Sequence, residues 1–246
     1  FTLSEAEKIR EKERMQQDFL KKAENYVNLF EPNYFMPFAG RYTLAGKLAP
    51  LNDYRGVTEL DDAFSYFTNS KNIDVEKSKC IILNPGSIFD TETGQPSEPY
   101  KKIDKIQKHQ YIDTILVKRK LDYEYENEPE IEEIKSLIDK CYERFERKRK
   151  ELRFSSDTIV LVNLSDEEFL AITCNGNGWK IINQNSIHDY KKYVKLSLDT
   201  RLLKWILLGP AHAHWNVAEN GSHITFERKP NVYERGLYYC LAFFYA

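Results

Sequence analysis

The chain has 246 residues, 36 basic against 38 acidic side chains and a formal net charge of -2. This balance gives no general attraction for nucleic acid or an anionic membrane surface, and no apolar run approaches the roughly 20 residues of a membrane span. A hydrophobic content of 41%, with 13% aromatic residues, excludes a disordered chain and suffices for a sizeable core.

The sequence opens on Phe1 and runs straight into a helical pattern, which reads as a chain that begins mid-protein. Ser4-x-x-Glu7 is a capping box, and the helix behind it is expected to reach about Leu29. Its apolar residues, among them Phe19, Leu20, Ala23, Tyr26 and Val27, fall mainly on one face. Glu31-Pro32-Asn33 ends it, and YFMPF (34–38) follows as a short buried strand that stops at a polar loop. Thr58-x-x-Asp61 predicts the cap of a second helix to about Phe67, and residues 79–84 predict a second strand that stops at Pro85-Gly86. This helix and strand alternation is the rhythm of an α/β layer. Strand ends of α/β proteins hold ligands, so the two stops suggest one shared pocket. Asp53, Arg55, Asp61 and Asp62 cluster after the first of them.

Residues 91–99 read as a loop, 101–126 as charged and partly helical, and 130–152 as a helix with Ile134, Ile138, Cys141 and Phe145 at helical spacing. Its tail, ERFERKRKELR (143–153), reads as a solvated face. Strands are expected at 158–164 and 169–174. The Asn175-Gly176-Asn177-Gly178 hairpin signal precedes WKII, and 194–198 alternates. Residues 200–208 read as an apolar helix, 222–228 as a strand and 232–244 as a closing aromatic helix. The division expected is 1–100, a charged helical connector 101–153, and an α+β module 154–246. The four cysteines are scattered without a CxxC, which reads as reduced thiols in a cytoplasmic protein.

Familiar chemical motifs are absent. GRYTLAGK (40–47) has five residues between its glycines where a P-loop has four, and Leu48 stands where Ser or Thr would hold magnesium. His212-Ala213-His214 is the one close histidine pair, and packed or hydrogen-bonded loop histidines explain it better than a metal. Trp215-Asn216 offers a stacking face and an amide, or a core indole beside a turn cap.

Phe35-Met36-Pro37-Phe38-Ala39-Gly40, then Leu83-Asn84-Pro85-Gly86-Ser87 with Asp90, then His214-Trp215-Asn216, in this order, resemble the C-terminal part of the CMP-N-acetylneuraminate hydroxylase-like proteins. Those belong to the metallo-β-lactamase-fold superfamily. The resemblance implies part of an αββα sandwich over residues 1–100. It also implies a divalent metal, zinc or iron, in the full-length protein, held by an HxHxDH motif that this sequence lacks. It transfers no ligand to this chain, which is expected to bind no cofactor alone. The last ninety residues are similar, at the level of fold only, to sterol-carrier-protein-like modules.

The expectation is a portion of a metal-dependent hydrolase or hydroxylase-like protein acting on a phosphorylated or nucleotide-linked sugar. Its partner is the N-terminal half of the same protein, with neither nucleic acid nor membrane. This chain is expected to be inactive alone and to supply pocket wall: Phe38, Ala39, Gly40, Arg41, Tyr42, Arg55, Asn84, Gly86, Ser87, His214, Trp215 and Asn216, with Arg41 and Arg55 facing substrate anions. The alternatives are a non-catalytic binding or scaffold protein on the same fold, or a lipid-binding C-terminal module.

Overall fold

The computed structural model describes residues 3–38 and 42–246, which form two compact units, Leu3–Arg119 and Lys120–Ala246. The expected connector 101–153 is divided between them. Its first helix belongs to the first unit, and its second lies in the core of the other.

The first unit is built on α1 (Glu5–Phe30), whose capping box forms as the sequence predicts. The Ser4 hydroxyl accepts from the Glu7 backbone N–H at 3.4 Å, and the Glu7 carboxylate accepts from the Ser4 N–H at 2.8 Å. Leu20 and Val27 pack on Ala63 and Phe67 of α2 (Leu60–Thr68) and on Ile73. A third helix, α3 (Lys105–Thr114), starts at Asp104, whose carboxylate accepts from the N–H groups of Ile106 and Gln107. Glu24 is buried on α1, and its carboxylate accepts from Ser70, Tyr66 and Asn72, which ties down the turn after α2.

The strands of this unit are shorter than the sequence suggests. β1 (Tyr34–Phe35) and β2 (Lys79–Cys80) pair in parallel, and β3 (Phe89–Asp90) and β4 (Gln95–Pro96) pair antiparallel, over two residues each. Ile81 still donates to the Phe35 carbonyl at 2.9 Å, but Pro37 has no N–H with which to continue the ladder. The cap of α2 also differs. Glu59, not Thr58, is its N-cap residue and makes no side-chain cap bond, because its carboxylate faces Arg55 and Lys108.

The second unit holds a mixed sheet of order β7–β6–β5–β8–β9: β5 (Ser156–Asn163), β6 (Glu168–Cys174), β7 (Trp179–Asn183), β8 (Tyr193–Ser197) and β9 (Thr225–Lys229). Only β5 and β8 run parallel. As the central strand, β5 has Val160, Leu161 and Val162 fully buried in succession, because both faces are covered. Val160 and Val162 meet α4 (Ile131–Glu151), α5 (Thr200–Leu208), α6 (Trp215–Asn220) and α7 (Arg235–Leu241). Leu161 faces Phe169, Ile182 and Ile187 on the other side. The β6–β7 turn needs its glycines. Gly176 and Gly178 both have φ +91°, and a Cβ on Gly176 would come within 2.9 Å of Arg149 Nη2.

The whole is therefore an α/β chain of helices with a mixed five-stranded sheet. Among the described residues no helix is long and apolar enough to cross a membrane.

Phe145 is fully buried and meets Phe244 edge to face at 6.2 Å. Phe145→Ala is expected to destabilise the second unit by about 3–5 kcal/mol, read from the urea midpoint. Burial pushes the Cys141 and Cys174 thiols from the ordinary 9.0 up to about 12, and Cys240 to about 11. The fold therefore favours the protonated thiols. Their contribution is intact below pH 9 and fades as pH rises towards the folded values. Cys174→Ala should make the alkaline decline in stability between pH 9 and 12 shallower. An unchanged slope would contradict this account.

Candidate functional site

Side chains four residues apart on α1 share one face, and in this unit Lys12 and Gln16 use that spacing to hold another stretch of chain. Lys12 donates to the Asp53 carbonyl at 2.8 Å, and the Gln16 amide donates to the carbonyls of Arg55 at 3.4 Å and Val57 at 3.2 Å. Gly56 lies so near the helix that a Cβ would meet Met15 at 2.9 Å. On its other side the stretch is fixed by Asn52, which accepts from the Leu44 N–H at 2.9 Å and donates to the Leu44 and Ala49 carbonyls. Residues 52–59, the first turns of α2, and α3 then enclose a cleft of about 600 Å³ with α1.

Arg55 lines this cleft, and its side chain is only 9% exposed. Its Nη2 donates to Glu59 at 3.3 Å, and its guanidinium stands 5.3 Å from the centre of the Tyr42 ring. Its Nε and Nη1 are buried without a hydrogen-bond partner. Thr58 Oγ1, on the same cleft, is buried and unpartnered as well. Most buried polar groups in folded proteins are paired, and an orphaned one costs about 1–3 kcal/mol, more when it is charged. Arg149 in the second unit provides a comparison. At 13% exposure, its Nε and Nη2 bind Glu146 and its Nη1 binds the Phe154 carbonyl, each at 2.7 Å. A guanidinium in this protein can thus be fully answered, and that of Arg55 is not.

Four basic side chains of the lining (Lys12, Arg55, Lys105 and Lys108) meet four acidic ones (Asp53, Glu59, Asp61 and Asp62), so the cleft is formally neutral, with positive charge concentrated beside Arg55. The single carboxylate of Glu59 accepts from both Arg55 and Lys108, so these three side chains carry a net charge of +1. Lys105 pairs with Asp62 at 3.2 Å, but both are more than half exposed and that pair adds little. Tyr66 also faces the cleft. Burial first, and then the negative charge of Glu24 and the bond to it, pushes its hydroxyl pKa up, so it is neutral at physiological pH and gives its proton to Glu24. The cleft can therefore take an anionic oxygen at Arg55 beside the Thr58 hydroxyl.

The structure brings only part of the expected site to this cleft. Arg55, Asp53, Asp61 and Asp62 line it, Tyr42 covers the guanidinium, and Phe38 lines an adjoining apolar groove. Ala39, Gly40 and Arg41 lie outside the described residues. Asn84, Gly86 and Ser87 build a turn instead. Ser87 N–H donates to the Asn84 carbonyl at 3.1 Å, and Gly86 has φ +85° at the third position, as a type II turn after Pro85 requires. Their side chains hold the following loop, with Asn84 donating to the Pro99 carbonyl and Ser87 to Glu98. His214, Trp215 and Asn216 belong to the second unit. His214 caps α6 by accepting from the Asn216 N–H at 3.2 Å, and Trp215 is a core residue whose indole donates to the Phe244 carbonyl at 2.9 Å.

Sequence reasoning missed Lys12, Gln16, Thr58, Glu59, Tyr66 and Lys108. The i, i+4 spacing of Lys12 and Gln16 was visible, but its target was not. Among the described residues no group of three or more His, Cys, Asp or Glu can hold a metal. No family model, curated protein or solved structure matches this chain.

Removing Arg55 and removing its partner should have unequal effects. Arg55→Met deletes a charge with orphaned donors and is expected to leave stability within about 1 kcal/mol of the parent, or above it. Glu59→Gln strands two cations and is expected to cost at least about 2 kcal/mol. Chemical denaturation of both variants checks the order, and a larger loss for Arg55→Met would contradict it.

Proposed function

We propose that the unit Leu3–Arg119 binds a small molecule through its phosphoryl or phosphodiester anion. A phosphorylated or nucleotide-linked sugar presents such a group. The observation that carries this reading is the buried guanidinium of Arg55, with Nε and Nη1 unanswered at the wall of a 600 Å³ cleft. An anionic oxygen met by a small turn of the Arg55 side chain toward the cleft would supply the missing acceptors, and charge-assisted bonds of this kind are among the stronger polar contacts. Tyr42 covers the guanidinium, and Lys108 adds a second positive charge. The role assigned to this chain is recognition. It agrees with the pocket-wall role that the resemblance to the CMP-N-acetylneuraminate hydroxylase-like proteins implies. It fits equally the reading of a non-catalytic binding protein.

The test is calorimetric titration of the chain with inorganic phosphate, cytidine monophosphate, a nucleotide-linked sugar and a neutral sugar. The phosphate-bearing compounds are expected to bind and the neutral sugar is not. Arg55→Gln should weaken their binding about tenfold or more, and added salt should weaken it further. Equal affinity in the parent and in Arg55→Gln would overturn the reading.

A further inference from the structure

A second cavity adjoins the first. Its volume is about 620 Å³, and it lies among α1, residues 36–38, residues 57–60 and α2. Its lining is apolar, with Phe19, Ala23, Tyr26, Met36, Phe38 and Leu60 contributing. Several of these are large and stand open to water: Phe38 is 74% exposed, Phe19 55% and Tyr26 53%. An apolar concavity of this kind on a polar chain marks a surface that receives something.

The two cavities share part of their wall. Leu20, Val57 and Thr58 line both, so the charged cleft passes into the apolar groove across the 57–58 backbone. Thr58 Oγ1, buried and without a partner, stands at this junction. The succession along this wall is a guanidinium with two unanswered nitrogens, an unanswered hydroxyl, then an apolar trough. A bare anion would answer the first and leave the trough wet. A hydrocarbon would fill the trough and leave the guanidinium unmet. A phosphate ester with a polar linkage and an apolar chain satisfies all three.

We infer that the ligand of the Arg55 cleft is an amphiphilic anion whose phosphoryl head meets Arg55, whose ester or hydroxyl oxygen meets Thr58, and whose apolar chain lies in the groove beside Tyr26 and Phe38. This rests on the anion-binding reading above and names the ligand class. The binding is non-covalent.

The experiment titrates the chain with inorganic phosphate, butyl phosphate, octyl phosphate and octyl glucoside, each below the concentration at which it forms micelles. Octyl phosphate is expected to bind about tenfold or more tighter than inorganic phosphate, with butyl phosphate between them, since each buried methylene adds a comparable increment. Arg55→Gln should remove the preference for octyl phosphate over octyl glucoside. Phe38→Glu, at an exposed position that burdens the fold little, should remove the gain with chain length. If phosphate binds and the longer esters bind no better, the amphiphile is overturned and the anion site stands. If octyl glucoside binds as well as octyl phosphate, the groove is an indiscriminate apolar surface and the inference falls. If neither phosphate nor any ester binds, both readings fall together.

Discussion

A charge withdrawn from water must be answered by opposite charge or by hydrogen bonds, and this rule organises the polar interior of both units. Glu24 is answered by two hydroxyls and an amide from the turn after α2. Arg149 is answered by Glu146 and a backbone carbonyl, and the buried Thr158 hydroxyl by Glu234. Among the described residues Arg55 and Thr58 are exceptions. The Arg55 guanidinium is as deeply placed as that of Arg149, yet two of its three nitrogens have no acceptor. The surrounding structure keeps it there through bonds to the backbone on either side of it. The helix α1 supplies them from Lys12 and Gln16.

The cleft and the groove follow from that arrangement. Because Gln16 engages the carbonyls of residues 55 and 57 together, and Gly56 lets the chain approach Met15, the 55–58 stretch lies flat along α1. One edge of this flat stretch meets the charges of α2 and α3, and the other meets the apolar side chains of α1 and α2. A boundary between polar and apolar surface therefore runs along two residues, Val57 and Thr58. The sharing of Glu59 between Arg55 and Lys108 ties α3 to the same boundary.

Much of this fold was legible in the sequence where periodicity or a local signal carries the information. The capping box at Ser4 and Glu7, the apolar stripe of α4, the helix Thr200–Leu208 and the glycine-rich β6–β7 hairpin all formed as the local pattern requires. The strands at 34–38 and 79–84 shrank to two residues each, because strand length depends on a partner's hydrogen-bonding groups and Pro37 offers none. Thr58 had the residue type of a cap, but the neighbouring Glu59 took the position under the pull of two cations distant in sequence. The candidate site was legible only at Arg55 and the nearby aspartates. What makes Arg55 distinctive is the lack of an acceptor in three dimensions, which no spacing encodes. Trp215 shows the opposite failure. An aromatic beside an amide suggested a stacking face, and the indole instead holds the last residues of the chain to the core.

The anchors of α1 have a consequence for what this chain can tolerate. Lys12, Gln16, Leu20 and Glu24 repeat every four residues, and each fixes a different part of the first unit: Asp53, the 55–57 backbone, the apolar core and the turn at 70–72. Together they work like the teeth of a key. A helix advances by about 100° per residue, so a single deletion between Lys12 and Glu24 would rotate the later teeth away from their targets while leaving the helix itself intact. A deletion before Lys12 would shorten the shaft and spare the bit. Length variation in α1 is thus confined by geometry to its first two turns, whatever helix propensity would permit.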